Sequence, residues 1–334
     1  MSDSHLTLPL EQLISKAAID DTTLPNSVLN RQQANRFIDL VIDTSVLLKK
    51  VRTVRVDHPK GEINKLDLGS IVTEGANTVS TASTNVPSEA TVQYDMEKYR
   101  SAFDLKTDFL EDNIEGKGAR DTILNMFSKR ISIDTEMASI EGDQSLTVGD
   151  GQTASNNLLG ANDGFKAILE ANVPAANKID CNDTDPSLKL YYDLKRKIPN
   201  RYRVARPSYV WLVSPSTYDK WAYDAQQRVT TGGDSAQGSD RGFGMGPWGM
   251  PMMEVPLMPE DLGTGTDESQ IWLTPLDNLI YFVQRSITIE FDRRPRTDSW
   301  EVTVHFRCDF QVENADMVVM ATEVGVGTGT DYAG

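Results

Sequence analysis

Cysteine is scarce: Cys181 and Cys308 are the only two in 334 residues. Two thiols do not make a disulfide framework, and they fit a reducing compartment as small buried or half-buried residues rather than nucleophiles. The three histidines, His5, His58 and His305, are scattered, and neither cysteine has a C-x-x-C partner, so no zinc site takes shape. Long apolar runs are missing as well, since nothing approaches the roughly 18 residues that cross a bilayer. Residues 1–20 lack the layout of a secretory signal because Asp3, His5 and Glu11 interrupt them. Positive charge is the last shortage. Lys and Arg number 33 against 49 Asp and Glu, for a net charge of −16. A chain that grips phosphates needs clustered cations, and no basic stripe with interleaved aromatics is read here, so direct DNA or RNA binding is not expected. An acidic protein can still surround DNA without adhering to it.

Catalytic patterns are equally thin. Gly244-Met245-Gly246-Pro247-Trp248-Gly249 matches the G-x-G-x-x-G string. The dinucleotide fingerprint, however, needs a helix opening from that loop, and Pro247 removes one of the N–H donors. Asp183 and Asp185 resemble the start of a calcium loop but lack its glycine and terminal glutamate. No G-x-S-x-G elbow or Walker loop occurs, and nothing assembles an acid, a base and an oxyanion donor. The expectation is a protein with no catalytic residues, no cofactor and no metal.

What the chain does have is a long helical pattern over residues 107–142. Ile123, Leu124, Phe127, Ile131, Met137 and Ile140 recur at spacings of mainly three and four, with Lys129, Arg130 and Glu136 between them on the solvated side. Gly116 and Gly118 break the run and Gly142 stops it. The prediction is a short first helix, then one of roughly 23 residues, about 35 Å long. Before it, residues 1–48 read as an arm, with helical candidates at 8–18 and 26–48.

Residues 49–106 have the texture of strand and loop. Val54 and Val56 alternate with charged residues on the way out, and Val92, Tyr94 and Met96 on the way back, followed by Tyr99, Phe103 and Leu105. Between them, twelve of the nineteen residues from 73 to 91 are Thr, Ser, Asn, Gly or Pro. The reading is a long two-stranded excursion with a polar tip. Such a ribbon is marginal alone in water, so it needs a partner molecule to lie against; the alternative is a floppy surface loop.

Beyond a Gly- and Asn-rich connection at 143–163, helices are predicted at 164–171, 186–198 and 215–228, and a buried strand at 209–213. Short strands follow at 252–257, 270–274 and 279–284, making a mixed α/β unit. Ile287, Ile289 and Phe291 begin an antiparallel hairpin whose turn is Arg293-Arg294-Pro295-Arg296. The return strand alternates Trp300, Val302, Val304, Phe306, Cys308 and Phe310 against Glu301, Thr303, His305, Arg307, Asp309 and Gln311. Its predicted length, about 35 Å, equals that of the long helix, so the two are expected to pack lengthwise. A final strand is read at 315–323.

This succession resembles the HK97-type major capsid proteins of tailed double-stranded DNA phages. The resemblance rests on the order of its parts and on several strings. These are Ile140-Glu141-Gly142-Asp143, Val210-Trp211-Leu212-Val213-Ser214-Pro215 leading to Trp221, and Trp248-Gly249-Met250-Pro251 continuing through Glu254 to Met258-Pro259. A fourth is Arg285 ahead of Ile287-Thr288-Ile289. It covers about residues 35–325. It implies an α+β HK97-like capsid fold with an N-terminal arm at 1–48 and an extended loop at 49–106. It further implies a peripheral domain at 107–159 and 287–312, holding the spine helix and the β-hairpin. A mixed α/β axial domain at 160–286 is rejoined by 313–325, and 326–334 is a flexible tail.

The same resemblance implies a structural subunit that forms pentamers and hexamers, tiling an icosahedral shell around double-stranded DNA with the loop over a neighbour. It implies a virion protein assembled in the host cytoplasm, beside a portal and a decoration or cement protein. With no long coiled-coil prefix, a separate scaffolding protein and no removal of a large N-terminal segment are expected. Candidate inter-subunit contacts are Lys60, Glu62, Lys65 and Glu74 on the ribbon and Arg293, Arg294 and Arg296 on the turn; the alternative for each is a solvated surface charge. The rival reading within the same fold is an encapsulin-like nanocompartment shell.

Overall fold

The computed structural model describes residues 27–28, 45–67, 88–106, 119–226, 244–263, 267–284, 288–327 and 332. In chain order the N-terminal elements are β1 (Ser27–Val28), β2 (Arg52–Val56), β3 (Lys60–Asp67), β4 (Ser88–Asp95), β5 (Glu97–Lys106) and α1 (Ala119–Glu141). The middle holds α2 (Ala154–Leu159), α3 (Phe165–Asn172), β6 (Lys178–Thr184), α4 (Leu188–Lys197), β7 (Tyr209–Val213) and α5 (Pro215–Gln226). The remainder comprises β8 (Gly244–Met245), β9 (Pro251–Glu254), β10 (Glu268–Pro275), β11 (Leu279–Gln284), β12 (Thr288–Arg294), β13 (Ser299–Val312) and β14 (Val319–Gly325).

The first sheet is built on β13. Ser299 to His305 pairs with both β12 and β5, and Cys308 with both β11 and β5. β11 and β12 therefore follow one another along one edge while β5 takes the other. Outside them, β2 runs parallel to β11 and β1 caps β12. The alternation read in this strand holds: Val302, Val304, Phe306, Cys308 and Phe310 are buried, whereas Glu301, Thr303, His305 and Arg307 are half-exposed. Asp309 breaks the pattern, for reasons given below.

Helix α1 lies on the buried face, its Ile131, Ala138 and Ile140 sharing one core with the β13 side chains. Phe127 meets Phe103 of β5 at 4.1 Å between ring centroids. Its 23 residues match the predicted length. Its solvated side is not as expected. Ile133 is exposed, Ser128, Ser132 and Ser139 are buried, and Glu136 is only 4% exposed. The Glu136 carboxylate accepts hydrogen bonds from the N–H groups of Leu47 (2.6 Å) and Val46 (2.9 Å), which is why a charge can be enclosed there. Burial pushes its pKa up and these two N–H groups pull it back. The helix end is fixed by a backbone crossing: Gly164 N–H donates to Gly142 C=O at 2.8 Å. A Cβ on Gly142 would stand 2.4 Å from the Asn162 carbonyl oxygen.

The second sheet has the order β6-β14-β10-β7-β9-β8. Its central strands are buried on both faces, Tyr209 to Val213 throughout, because α4 and α5 cover one side and the shared core the other. After β10 the chain passes between the sheets twice more, at residues 276–278 and 313–318. Asn278 ties the crossings together, its Nδ2 donating to Asn314 C=O and its Oδ1 accepting from Asn314 N–H.

Several expectations are corrected here. The helix read at 26–48 is absent at both of its described ends: Ser27–Val28 is a strand on β12, and residues 45–50 form a turn that buries Leu47 and Leu48. The helix read at 8–18 and the short helix before Gly116 lie outside the described residues. The ribbon is shorter than 49–106, because β2 and β5 belong to the first sheet. The α/β unit ends at the crossing near 276 rather than at 286, since β11 pairs with β13 and β2. The 143–163 connection contains α2, opened by Thr153 accepting from Asn156 N–H. In the expected flexible tail, Tyr332 is held: its N–H donates to Asp185 C=O at 2.9 Å and its C=O accepts from Ser187 Oγ at 2.7 Å.

Candidate functional site

Strands β3 and β4 pair with each other alone among the described residues, from Lys60↔Asp95 to Asp67↔Ser88. Among the described residues, apolar contacts hold this ribbon at its base. Ile63, Tyr94 and Met96 join Val54, Val56, Ile280 and Phe282 in a small cluster on the sheet face opposite the main core. Tyr94 stacks on Phe282, with centroids 4.7 Å apart and planes 22° from parallel. Its ring crosses the strand at Gly61, its register partner, where a Cβ would lie 2.3 Å from the phenol oxygen. Glycine is there to let the aromatic through. Beyond Ile63 the side chains from Lys65 on, Leu66 among them, and the tip at 68–87 lie outside the described residues.

Backbone bonds set the angle at which the ribbon leaves. Met96 N–H donates to Pro59 C=O at 2.8 Å, and Asp95 N–H donates to Asp309 Oδ2 at 3.0 Å. Asp309 also accepts from Phe310 N–H (2.8 Å) and Gln311 Nε2 (3.1 Å). It sits on the outer face of β13, yet the ribbon base covers it to 4% exposure. Desolvation, helped by the nearby Asp95 charge, raises its pKa to about 6 against the pull of its three donors. Sequence reading put Asp309 among outward residues; its burial follows from its place opposite Phe282 under the ribbon base, which the sequence does not show.

The seven predicted contact residues are not gathered into one place. Lys60 pairs with Asp95 at 2.5 Å, both well exposed, and that carboxylate raises the Lys60 pKa. Glu62 is exposed opposite Gln93, Lys65 is placed opposite Ala90, and Glu74 lies outside the described residues. On the turn, Arg293 reaches Asp298 at 3.7 Å and Arg294 pairs with Glu301, so both already have acidic partners in their own chain. Arg296 is exposed. These are surface pairs of the kind worth about 0–1 kcal/mol, which leaves them able to exchange partners.

One surface escaped sequence reading. Tyr192 and Trp248 are 43% and 50% exposed with rings 5.5 Å apart, and Lys195 lies over Trp248 while Arg196 lies over Tyr192. The signal was present: residues 195–206 hold six cations, Lys195, Arg196, Lys197, Arg201, Arg203 and Arg206, and no acid. A basic stripe with interleaved aromatics, not expected from the sequence, is therefore present. Among the described residues no group of His, Cys, Asp or Glu is arranged to hold a metal ion. Nor is any described helix long and apolar enough to cross a membrane. The G-x-G-x-x-G string forms strand β8 and a tight turn at Pro247–Gly249, with strand β9 following.

No protein-family model matches the chain. Over 322 residues it is 26% identical to the protein named "Putative prophage capsid protein YqbE" of Bacillus subtilis (strain 168), covering 94% of this chain and 98% of that one. Among solved structures, it is similar to a chain of the satellite phage P4 procapsid that includes the size determination (Sid) protein. That match has a TM-score of 0.62 at 17% identity, over 87% of this chain and 99% of the other. It is also similar to the SrpI encapsulin of Synechococcus elongatus PCC 7942, with a TM-score of 0.57 at 14% identity over 98% and 100%. The capsid of a native GTA particle gives 0.58 at 12% identity over 97% and 99%. In fold this chain is similar to phage capsid and encapsulin chains, and along nearly its whole sequence it is similar to a prophage capsid protein.

Proposed function

We propose that this chain is the major subunit of a phage head, assembling as pentamers and hexamers into an icosahedral shell that encloses double-stranded DNA without reading its sequence. The observation that carries the reading is the ribbon. Among the described residues it is anchored at its base, by Tyr94, Ile63 and Met96 on Phe282 and by Asp95 on Asp309. The pairing continues to Asp67↔Ser88 with no second layer beneath it among the described residues. A two-stranded ribbon is marginal in water, so it is ordered by lying on another copy. Many such modest contacts add up, because the first makes the later ones intramolecular.

In this reading residues 1–48 are the N-terminal arm, and β3 and β4 are the extended loop. The first sheet with α1 is the peripheral domain, and the second sheet with α4 and α5 is the axial domain. Residues 313–325 rejoin the second sheet, and 326–334 are a tail fixed at Tyr332. Head-to-tail contacts that close by rotation produce the rings. The net charge of −16 keeps packaged DNA from adhering. Lys60, Glu62, Lys65, Glu74, Arg293, Arg294 and Arg296 contribute to contacts between copies. A separate scaffolding protein, a portal and a decoration or cement protein complete the head, which is built in the host cytoplasm.

The second reading, an encapsulin-like compartment, is favoured by the full-length likeness to an encapsulin shell chain. Negative-stain images of the purified chain test both. Closed shells or ring-shaped capsomers are expected, and nuclease-protected DNA in particles from infected or induced cells separates a head from a compartment loaded with protein. A chain that remains monomeric under all assembly-promoting conditions overturns the proposal.

A further inference from the structure

The ribbon closes over a carboxylate whose partners, among the described residues, are N–H groups and no cation. Asp309 stands on the outer face of β13 opposite Phe282, beside the small cluster of Ile63, Tyr94, Met96 and Phe282, and is 4% exposed. Its oxygens accept from Phe310 N–H at 2.8 Å, Asp95 N–H at 3.0 Å and Gln311 Nε2 at 3.1 Å. Two of these donors belong to β13 itself. The third is the last residue of β4, so that bond joins sheet to ribbon.

The groups around it do not neutralise a charge there. The ribbon brings Asp95, whose carboxylate pairs with Lys60 across the ribbon base. Strand β5 begins at the exposed Glu97, and β11 carries no charged residue. On β2, Arg52 pairs with Glu313 and Arg55 stands opposite Val283. Arg307 of β13 donates to Gln284 Oε1, and His58 is exposed in the turn between β2 and β3. An enclosed carboxylate beside a like charge holds its proton more firmly than one in water. For Asp309 burial, with the Asp95 charge added, outweighs the three donors and brings the pKa to about 6.

Lifting the ribbon base uncovers Asp309 and returns it toward its ordinary 3.8. Between those two values the seated ribbon holds a proton that the lifted one releases. Seating is therefore strongest below about pH 4, weakens as pH rises through about 6, and stays weak above.

We propose that Asp309 is a proton-operated catch for the ribbon. Protonated, it lets the base of β3 and β4 rest on Phe282; ionised, it eases that base off the sheet, so the ribbon can swing to meet another surface. This goes beyond the shell reading and is measured on one unassembled chain. Its failure leaves that reading standing, and a chain that never assembles leaves the catch testable.

The test is hydrogen–deuterium exchange of the unassembled full chain, with each rate divided by the intrinsic rate at the same pH. Protection of residues 60–63 and 92–95 is expected to be about tenfold higher at about pH 5 than at about pH 7.5. Asp309→Asn should show the higher protection at both. Asp95→Asn keeps the N–H donor and removes the neighbouring charge, so the pH at which protection changes should fall. Equal protection of the wild-type ribbon at the two pH values overturns the proposal. So does a pH dependence that persists in Asp309→Asn, which would pass it to His58 or another group. Should the Asp309 variant fail to fold, Asp95→Asn decides, and a transition pH that does not move overturns the proposal.

Discussion

Substituting Asp309 by Asn isolates the carboxylate at the ribbon base. In the folded chain Asp309 has a pKa of about 6, against an ordinary 3.8, because burial disfavours its charge and Asp95 lies nearby. The sign follows from proton counting. Between the two values the folded state holds the proton and the unfolded state does not, so stability falls as pH rises from about 4 to about 6 and stays low above that. A shift of about two units corresponds to about 3 kcal/mol at neutral pH, and the low exposure of Asp309 leaves little solvent screening to reduce it. Asparagine keeps the shape and removes the charge, but it has one carbonyl oxygen where the carboxylate serves Asp95 N–H, Phe310 N–H and Gln311 Nε2. Losing part of that set costs about 1 kcal/mol. The variant is therefore expected to be more stable than wild type by about 1–2 kcal/mol above pH 7, and equal or slightly less stable below pH 4. Urea unfolding of the unassembled chain, followed by tryptophan fluorescence across that range, measures the difference. A wild type and variant whose difference does not change with pH would refute the reasoning.

Two further outcomes follow from the same geometry. Glu136→Ala leaves the N–H groups of Val46 and Leu47 without their acceptor and is expected to destabilise the chain by about 2–4 kcal/mol, read as a lower urea midpoint. Gly61→Val puts a side chain where the Tyr94 ring crosses; it should detach Tyr94 from Phe282 and speed limited proteolysis of the ribbon several-fold, with little change in the melting of the two sheets.

The elements legible in the sequence were those with strong periodicity. The alternation from Val302 to Phe310 and the buried run from Tyr209 to Val213 are read directly because each strand's environment is uniform along its length. The long helix is found at its full 23 residues, yet Glu136 is misplaced on it, because burial of a charge depends on two backbone donors 89 and 90 residues earlier. The ribbon was overextended for a similar reason. Val54 and Val56 alternate as strand residues do, but nothing local says that β2 pairs in parallel with β11, more than 220 positions away. Strand β6 was missed because the polar sequence of Asp180, Asn182 and Asp183 hides a strand that needs only one buried side. The cation–aromatic surface was half legible: Tyr192, Lys195 and Arg196 share one window of sequence, whereas Trp248 is brought to them only by the fold.

The central claim is that a second copy steadies the ribbon. Hydrogen–deuterium exchange of the amides in Lys60–Asp67 and Ser88–Asp95, compared between unassembled chain and assembled shells, addresses it most directly. Slowing of at least about tenfold on assembly, strongest toward the Asp67↔Ser88 end, is the predicted result. Equal exchange in the two states would mean that the ribbon needs no neighbour and would contradict the account.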